Sequence, residues 1–279
     1  MEPTVYRPQG VLARFVDCFW TFDSRPGDTN RTLKMFATGV SGVLFQHHEG
    51  QPALGATPDG HPVSHGGCPT SFVYGKRTRP SRTFANGPFA LTGVVLKPQG
   101  LNTLFKIDPA SLSDGSARLN EFCRENIADQ LLNAASSHER IVILRRFLRE
   151  RAKTAASDDV LVAESLQLIR QRLPSIKVPH LLKALHVSER QFERRFSRAI
   201  GVSPHHYIRI VRFRKAMRLM KARQFHRLSD LAYDLNYVDQ SHFIKDSKAF
   251  SGCTPGRLVH TVQSGVELPC AFVLAPADA

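Results

Sequence analysis

The chain has 279 residues, more than one domain usually holds, which predicts two domains of roughly 100 to 150 residues each. Apolar residues make up 42% and charged residues 22%, which is ordinary globular usage and excludes a disordered chain. The net charge of +14 and the pI near 10.0 indicate an anionic partner, because an unneutralised positive field repels itself.

The cysteines and the N-terminus bear on where the protein resides. Five scattered cysteines without a Cys-x-x-Cys pair are typical of reduced thiols rather than of a disulfide framework. The N-terminus lacks a basic start followed by an apolar run, and no segment reaches the ~18 apolar residues that span a bilayer. The sequence therefore predicts a cytoplasmic protein without a membrane partner.

The first hundred residues contain short apolar segments separated by Gly and Pro. Four segments rich in aromatic and β-branched residues predict strands at 18–22, 42–45, 71–74 and 89–96. They predict a small cupin-like barrel or a sandwich. Residues 50–67 are dense in Gly, Pro and His and are predicted to form a surface loop.

A basic cluster in this region is a candidate site for an anionic effector, such as a nucleotide or a phosphorylated metabolite. A solvated loop is the alternative interpretation. The cluster consists of Lys76, Arg77, Arg79 and Arg82.

The histidines of this region do not predict a metal site. His47 and His48 are adjacent, so they point to opposite faces of a strand, and the His-x-His spacing with a downstream Glu is missing; His61 and His65 do not supply it. No catalytic triad, paired carboxylates or Gly-rich cofactor motif stands out elsewhere. The sequence therefore predicts no metal, no cofactor and no enzymatic activity.

Helical spacing replaces the strand pattern after Gly100. Apolar residues at intervals of three and four predict amphipathic helices over 119–135 and 138–152. The short polar segment 153–158 is the predicted domain boundary. We expect an α+β protein, with a regulatory or dimerisation domain at 1–153, an all-helical domain at 158–262 and a C-terminal tail at 263–279.

Positive charge is concentrated in the helical part. From Ile176 to Thr261 there are 17 Lys or Arg against 6 Asp or Glu, so most of the net charge lies there. This asymmetry predicts a nucleic-acid-binding module attached to another domain.

The helical part contains an internal repeat. Gly201-Val202-Ser203-Pro204 recurs 51 residues later as Gly252-Cys253-Thr254-Pro255. Phe192 and Phe196 precede the first motif by nine and five residues, and Phe243 and Ser247 hold the same offsets before the second. The repeat indicates a duplicated supersecondary unit.

Each copy has the layout of a helix-turn-helix. Ser188 and Asp239 are good N-caps for the second helix of each copy, predicted over 189–200 and 240–250. Phenylalanines lie on the inner face of these helices, and Arg, Gln and Lys on the outer face can bond base edges in the major groove.

The segment 204–222 predicts one basic amphipathic helix that joins the copies. With about 18 residues it would span roughly 27 Å, so the two recognition helices could enter successive major grooves about 34 Å apart. We expect phosphate contacts from basic side chains on or near the helices: Arg198, Arg209, Arg212, Arg218 and Lys248.

The segment 178–204, the linking helix around 212–216 and Asp239-Gln240-Ser241-His242-Phe243 resemble the DNA-binding domain of AraC/XylS regulators over about 100 residues. The resemblance implies base-reading residues in both recognition helices: Arg190, Gln191, Glu193, Arg194, Gln240, Ser241, His242 and Lys245. It also implies a transcriptional regulator, an activator or a repressor, that binds double-stranded DNA and RNA polymerase. Segments 15–20 and 94–100 resemble the β-rich regulatory domains of such proteins, which implies a small-molecule effector or a homodimer contact.

Some positions depart from the family pattern. A small residue is usual where Leu182 lies, a turn glycine where His186 and Asn236 lie, and a core aromatic where Ser247 lies. Ser247 predicts a loosely packed second unit, which substitution by Phe would stabilise. We expect the first unit to dominate binding and residues 158–261 to fold independently.

An enzyme with a helical appendage and a nonspecific nucleoid or RNA-binding protein are the other functional interpretations.

Overall fold

The computed structural model describes residues 2–25, 31–49, 51–55, 69–85, 87–122, 126–269 and 272–274. His61, His65, Cys68, Cys123, Cys270 and most of the predicted loop lie outside these ranges. Cys18 and Cys253, the two described cysteines, are free thiols. No helix within the described ranges is both long enough and apolar enough to cross a membrane.

The N-terminal part is built on two antiparallel sheets, and its strands include the four predicted from sequence. The strands are β1 Thr4–Tyr6, β2 Val16–Asp23, β3 Arg31–Met35, β4 Ser41–His47, β5 Leu54–Gly55, β6 Ser71–Tyr74, β7 Ser81–Ala85, β8 Ala90–Leu96, β9 Ser116–Arg118, β10 Val266–Glu267 and β11 Phe272–Leu274. One sheet has the order β1-β2-β8-β4-β6-β9, and the other β10-β11-β3-β7-β5.

The six-stranded sheet is buried on both faces. In β4, Leu44 packs between the two sheets with Trp20 and Leu91, whereas Val43 and Phe45 point to the other face and pack under helices. This alternation follows from the two-residue period of a strand. The layers are therefore sheet, sheet and helices.

Three helices cover the second face of this sheet: α1 Gly100–Phe105, α2 Ile127–Asn133 and α3 Ser137–Lys153. The helix predicted over 138–152 is thereby confirmed, but the one predicted over 119–135 is wrong. Strand β9 pairs with β6 and holds the chain extended up to Arg118. A 3-10 helix, Leu119–Phe122, and the short α2 replace the single long helix.

The C-terminal part consists of seven helices: α4 Val160–Arg172, α5 Val178–Leu185, α6 Glu189–Ile200, α7 Pro204–Lys221, α8 Leu228–Asp234, α9 Gln240–Ser251 and α10 Pro255–Ser264. The fold class is confirmed: antiparallel sheets come first in the chain, and a helical region follows. The single long helix predicted between the repeats is α7, with 18 residues.

The segment after α10 returns to the N-terminal sheets. Strand β11 pairs antiparallel with β3, placing Val273 opposite Lys34, and β10 pairs with β11. Leu268, between these strands, is 1% exposed within the core shared by the two sheets. The segment 263–279, expected to be a tail, therefore contributes strands and a core residue to the N-terminal part.

Lys76 is fully buried beside the six-stranded sheet. Its ammonium group donates a hydrogen bond to the carbonyl of Pro98 at 2.9 Å. Burial lowers the pKa of Lys76 from 10.5 to about 7, because desolvation penalises the charged amine. The folded protein therefore binds this proton less tightly than the unfolded chain does.

Substitution of Lys76 by Met should raise the free energy of unfolding at neutral pH. In the natural protein the unfolded chain carries a proton that the folded one lacks between pH about 7 and 10.5, so stability rises with pH across that window. Lys76→Met should remove that rise, as measured by urea unfolding across the window. Lys183→Met, at an exposed position of α5, is the matched control and should keep it; an unchanged slope in Lys76→Met would contradict the prediction.

Candidate nucleic-acid interface

Helix α6 presents the first predicted recognition surface. The hydroxyl of Ser188 accepts a hydrogen bond from the backbone N–H of Gln191 at 3.4 Å, which confirms the predicted cap. Phe192, Phe196 and Ile200 are fully buried. The polar side chains of the opposite face are exposed: Arg190, Gln191, Glu193, Arg194 and Arg198.

Helix α9 repeats this arrangement. The carboxylate of Asp239 accepts a hydrogen bond from the backbone N–H of His242 at 2.7 Å, which confirms the second predicted cap. Gln240, Ser241, Lys245 and Lys248 are exposed. His242 is half-buried instead: its ring lies edge-on against Tyr237 with 5.2 Å between centroids. Its Nε2 atom lies 4.0 Å from the Asp246 carboxylate.

The turns of the two units share one backbone geometry. His186 and Asn236, where the family usually has glycine, have φ of 49° and 58°, the left-handed conformation expected at those positions. Gly201 and Gly252 end the two recognition helices with φ of 86° and 73°. The two units therefore repeat each other in backbone conformation as well as in sequence.

Three of the predicted phosphate-binding arginines of α7 are directed away from the exposed faces of α6 and α9. Arg209 donates to the buried carboxylate of Asp246 at 2.7 Å. Arg212 is 7% exposed, donates to the Pro174 carbonyl and lies over the Tyr237 ring, so the prediction that it binds phosphate is wrong. Arg218 lines a cleft towards the N-terminal part.

Ser247 does not leave the second unit loosely packed, contrary to expectation. It is 0% exposed, and its hydroxyl donates to the Cys253 carbonyl at 2.8 Å. Phe250 and Phe213 lie in the same core, with their ring centroids 5.5 Å apart. Ser247 is therefore enclosed and its hydroxyl has a hydrogen-bond partner, which does not favour a loosely packed site.

Asp159 connects three parts of the molecule, which sequence patterns did not indicate. Its carboxylate receives two hydrogen bonds from Arg195 of α6, at 2.6 and 2.9 Å, and caps α4 through Val162 N–H. Its backbone exchanges hydrogen bonds with the Gln99 side chain. Burial raises the pKa of Asp159, but the bonds from Arg195 and the backbone outweigh this and hold that pKa below its ordinary value.

A cleft of about 470 Å³ separates the six-stranded sheet from α4 and α7. Its charged lining is mainly basic and consists of Arg14, Lys97, Arg170, Arg214, Lys215 and Arg218, with the acids Asp17 and Asp158. Arg14 pairs with Asp158 at 3.1 Å, which leaves an excess of positive charge facing Asp17. Burial raises the pKa of Asp17 despite Arg214, Lys97 and Arg170 nearby.

Three residues of the predicted effector cluster, Lys76, Arg79 and Arg82, lie in different surroundings. Lys76 is buried, whereas Arg79 is exposed and its Nε atom lies 3.7 Å from the carboxylate of Asp114. Arg82 lies on β7, opposite Lys34 of β3. These placements of Lys76, Arg79 and Arg82 do not favour one shared anion site, and the predicted cluster stays a prediction. The described residues contain no group of three His, Cys, Asp or Glu placed to hold a metal.

Both parts of the chain match protein-family models. A family described as a helix-turn-helix domain matches residues 181–260, and a domain of unknown function matches residues 4–118. A search of curated proteins found no match.

Similar solved structures include proteins from two bacteria. ToxT from Vibrio cholerae O395 is 12% identical with a TM-score of 0.45, covering 89% of this chain and 99% of its own. ToxT from strain SCE256, bound to an unsaturated fatty acid, is 13% identical with a TM-score of 0.42, covering 90% and 97%. The C-terminal domain of AraT, a response regulator from Geobacillus stearothermophilus, is 20% identical with a TM-score of 0.36, covering 38% and 88%.

Replacing Ser247 by Phe should destabilise the protein, because the site is closed and already packed. We expect the free energy of unfolding to fall by ~1 to 3 kcal/mol, the usual cost of overpacking a core. Ser241→Phe on the exposed face of α9 is the matched control and should change it by less than about 0.5 kcal/mol. Chemical denaturation measures both. Greater stability in Ser247→Phe would show that a void exists there.

Proposed function

We propose that the chain is an AraC-type, sequence-specific DNA-binding transcriptional regulator that responds to an effector, since its residues 181–260 match a helix-turn-helix family. The observation that carries the proposal is the pair of capped helices, α6 and α9. Each buries a phenylalanine face and exposes side chains that can bond base edges.

We propose further that one chain reads two successive major grooves. Helix α7 has 18 residues and is about 27 Å long, and each recognition helix packs against it. Recognition helices held by such a spacer suit half-sites about one helical turn apart. Base contacts are proposed for Arg190, Gln191, Glu193, Arg194, Gln240, Ser241, His242 and Lys245, and phosphate contacts for Arg198 and Lys248. Binding to RNA polymerase and homodimerisation stay predictions.

Arg194→Ala should reduce affinity by ~1 to 3 kcal/mol and relax specificity at one or two base pairs, because it removes a base-reading contact. The measurement is selection from a random duplex library with the full chain, followed by titration of the selected duplex. Arg198→Ala, on the same helix, is the matched control and should weaken all sequences alike while reducing the salt dependence.

Two outcomes would contradict this assignment. Equal, sequence-independent losses in Arg194→Ala and Arg198→Ala would show that Arg194 does not read bases. Recovery of no motif by the natural chain, with binding that depends on salt alone, would instead support a nonspecific nucleic-acid-binding protein.

For the effector, we propose the cleft between the six-stranded sheet and α7. Arg170, Arg214 and Lys97 give it positive charge, while Phe15, Leu166 and Val211 give it apolar walls. This lining suits an organic anion with an apolar body. The cleft lies against α7, which joins both helix-turn-helix units, so an occupant can bias how the two recognition helices are held.

Carboxylates with an apolar body should raise the melting temperature, and their neutral amides should do so much less. A panel of straight-chain and aromatic carboxylates, each paired with its amide, tests this by thermal unfolding, since a ligand that binds only the folded state stabilises it. Arg214→Gln should abolish the difference. Arg172→Gln, exposed on α4 outside the cleft, is the control; equal shifts by acids and amides, or an unaffected Arg214→Gln, would rule out the proposed site.

A further inference from the structure

The hydrophobic core of the second helix-turn-helix unit contains a residue from the N-terminal part of the chain. Phe36, directly after β3, is 1% exposed, and it lies in one cluster with Phe243, Phe250 and Leu258. Ala37 lies beside it and is also fully buried. A phenylalanine distant in sequence therefore fills space between α7, α9 and α10.

A backbone hydrogen bond fixes this contact. The N–H of Ala37 donates to the carbonyl of Phe250 at 2.8 Å. Phe250 lies in the last turn of α9, where helix carbonyls have no partner within the helix. Close packing follows in the next residues, since a side chain at Gly39 would meet Ile210 of α7 at 2.9 Å.

The first unit is built differently. Its described core, which includes Ile169, Leu181, Phe192, Phe196 and Tyr207, comes wholly from residues 161–211. Pro109 and Ser113 of the N-terminal part meet Gly201, which ends α6 and lies outside this core. The two units thus have the same fold, but only the second includes a residue from the N-terminal part in its core, as far as the described residues show.

We infer that Phe36 is a positioning residue for α9, so that reading of the second half-site depends on the N-terminal part, whereas the first unit reads DNA on its own. This rests on the proposed function. Phe36 extends from β3, which pairs on one edge with β7 and on the other with β11. The strand is therefore anchored on both sides, and its position sets that of the phenylalanine.

The reciprocal contact at the end of the chain supports this assignment. The segment that leaves α10 places Leu268 in the core between the sheets and adds β11 to β3. Strand β3 therefore contacts the second unit at two points. Phe36, which follows β3, packs in the core of that unit, and β11, which follows α10, pairs with β3. A displacement of β3 has to move α9 and α10 with it.

Amide hydrogen exchange on the full chain tests the inference without DNA. In Phe36→Ala, exchange in α9 and α10 should accelerate by at least roughly tenfold, since losing a buried phenylalanine costs more than a factor of ten in stability. Exchange in α5 and α6 should stay unchanged. Phe192→Ala, a buried phenylalanine in the first unit's own core, is the matched control and should accelerate exchange in α5 and α6 instead.

Selection from a random duplex library then tests the effect on DNA reading. The natural chain should recover two blocks of preferred bases, of which Arg194→Ala identifies the one read by α6. Phe36→Ala should keep that block and lose the other. Equal loss of both blocks, or unchanged exchange in α9, would overturn the inference.

A conservative variant keeps the test decisive if Phe36→Ala unfolds throughout. Phe36→Leu should then accelerate exchange in α9 more than in α6, and equal acceleration in both would overturn the inference. Recovery of no motif by the natural chain would contradict the proposed function, but the exchange pattern would still decide the role of Phe36.

Discussion

The constraint on which the molecule depends is the reciprocal exchange of core residues around β3. Phe36 leaves this strand to complete the core of the second helix-turn-helix unit, and Leu268 leaves that unit to complete the core between the sheets. Apolar burial drives both contacts, and it is lost for both cores if the parts separate. The N-terminal part and the second unit are therefore expected to unfold together, whereas the first unit has a core of its own.

Most of the arginines of α7 contact other parts of the folded protein. As an isolated segment it has the composition of a DNA-contacting helix, yet Arg212 is buried and Arg209 neutralises the buried Asp246. Arg214 and Arg218 line the cleft that the N-terminal part closes. The basic residues of α6 and α9 stay largely exposed, whereas those of α7 pair internally or line the cleft.

Asp159 gives the cleft a direct connection to the first recognition helix. Gln99 lines the cleft and holds the backbone of Asp159, whose carboxylate holds Arg195 of α6. The first unit is thus coupled to the N-terminal part by polar contacts at its edge. The second unit is coupled through its core. Added salt should weaken the polar coupling of the first unit more than the apolar coupling of the second, because screening weakens ion pairs but not apolar burial.

The sequence by itself determined the features that depend on local pattern. The repeat located both recognition helices, and Ser188 and Asp239 marked their first turns because a cap acts on amides only a few residues away. Features that depend on contacts between distant segments were decided by the tertiary structure. Ser247 resembled a packing defect, but it is buried and its hydroxyl bonds the Cys253 carbonyl. Phe36 carried no signal, because a lone phenylalanine after a strand does not reveal which core it enters. The burial of Lys76 and Arg212 likewise followed from the strands and helices packed around them, since a charged side chain shows its surroundings only once the chain has folded.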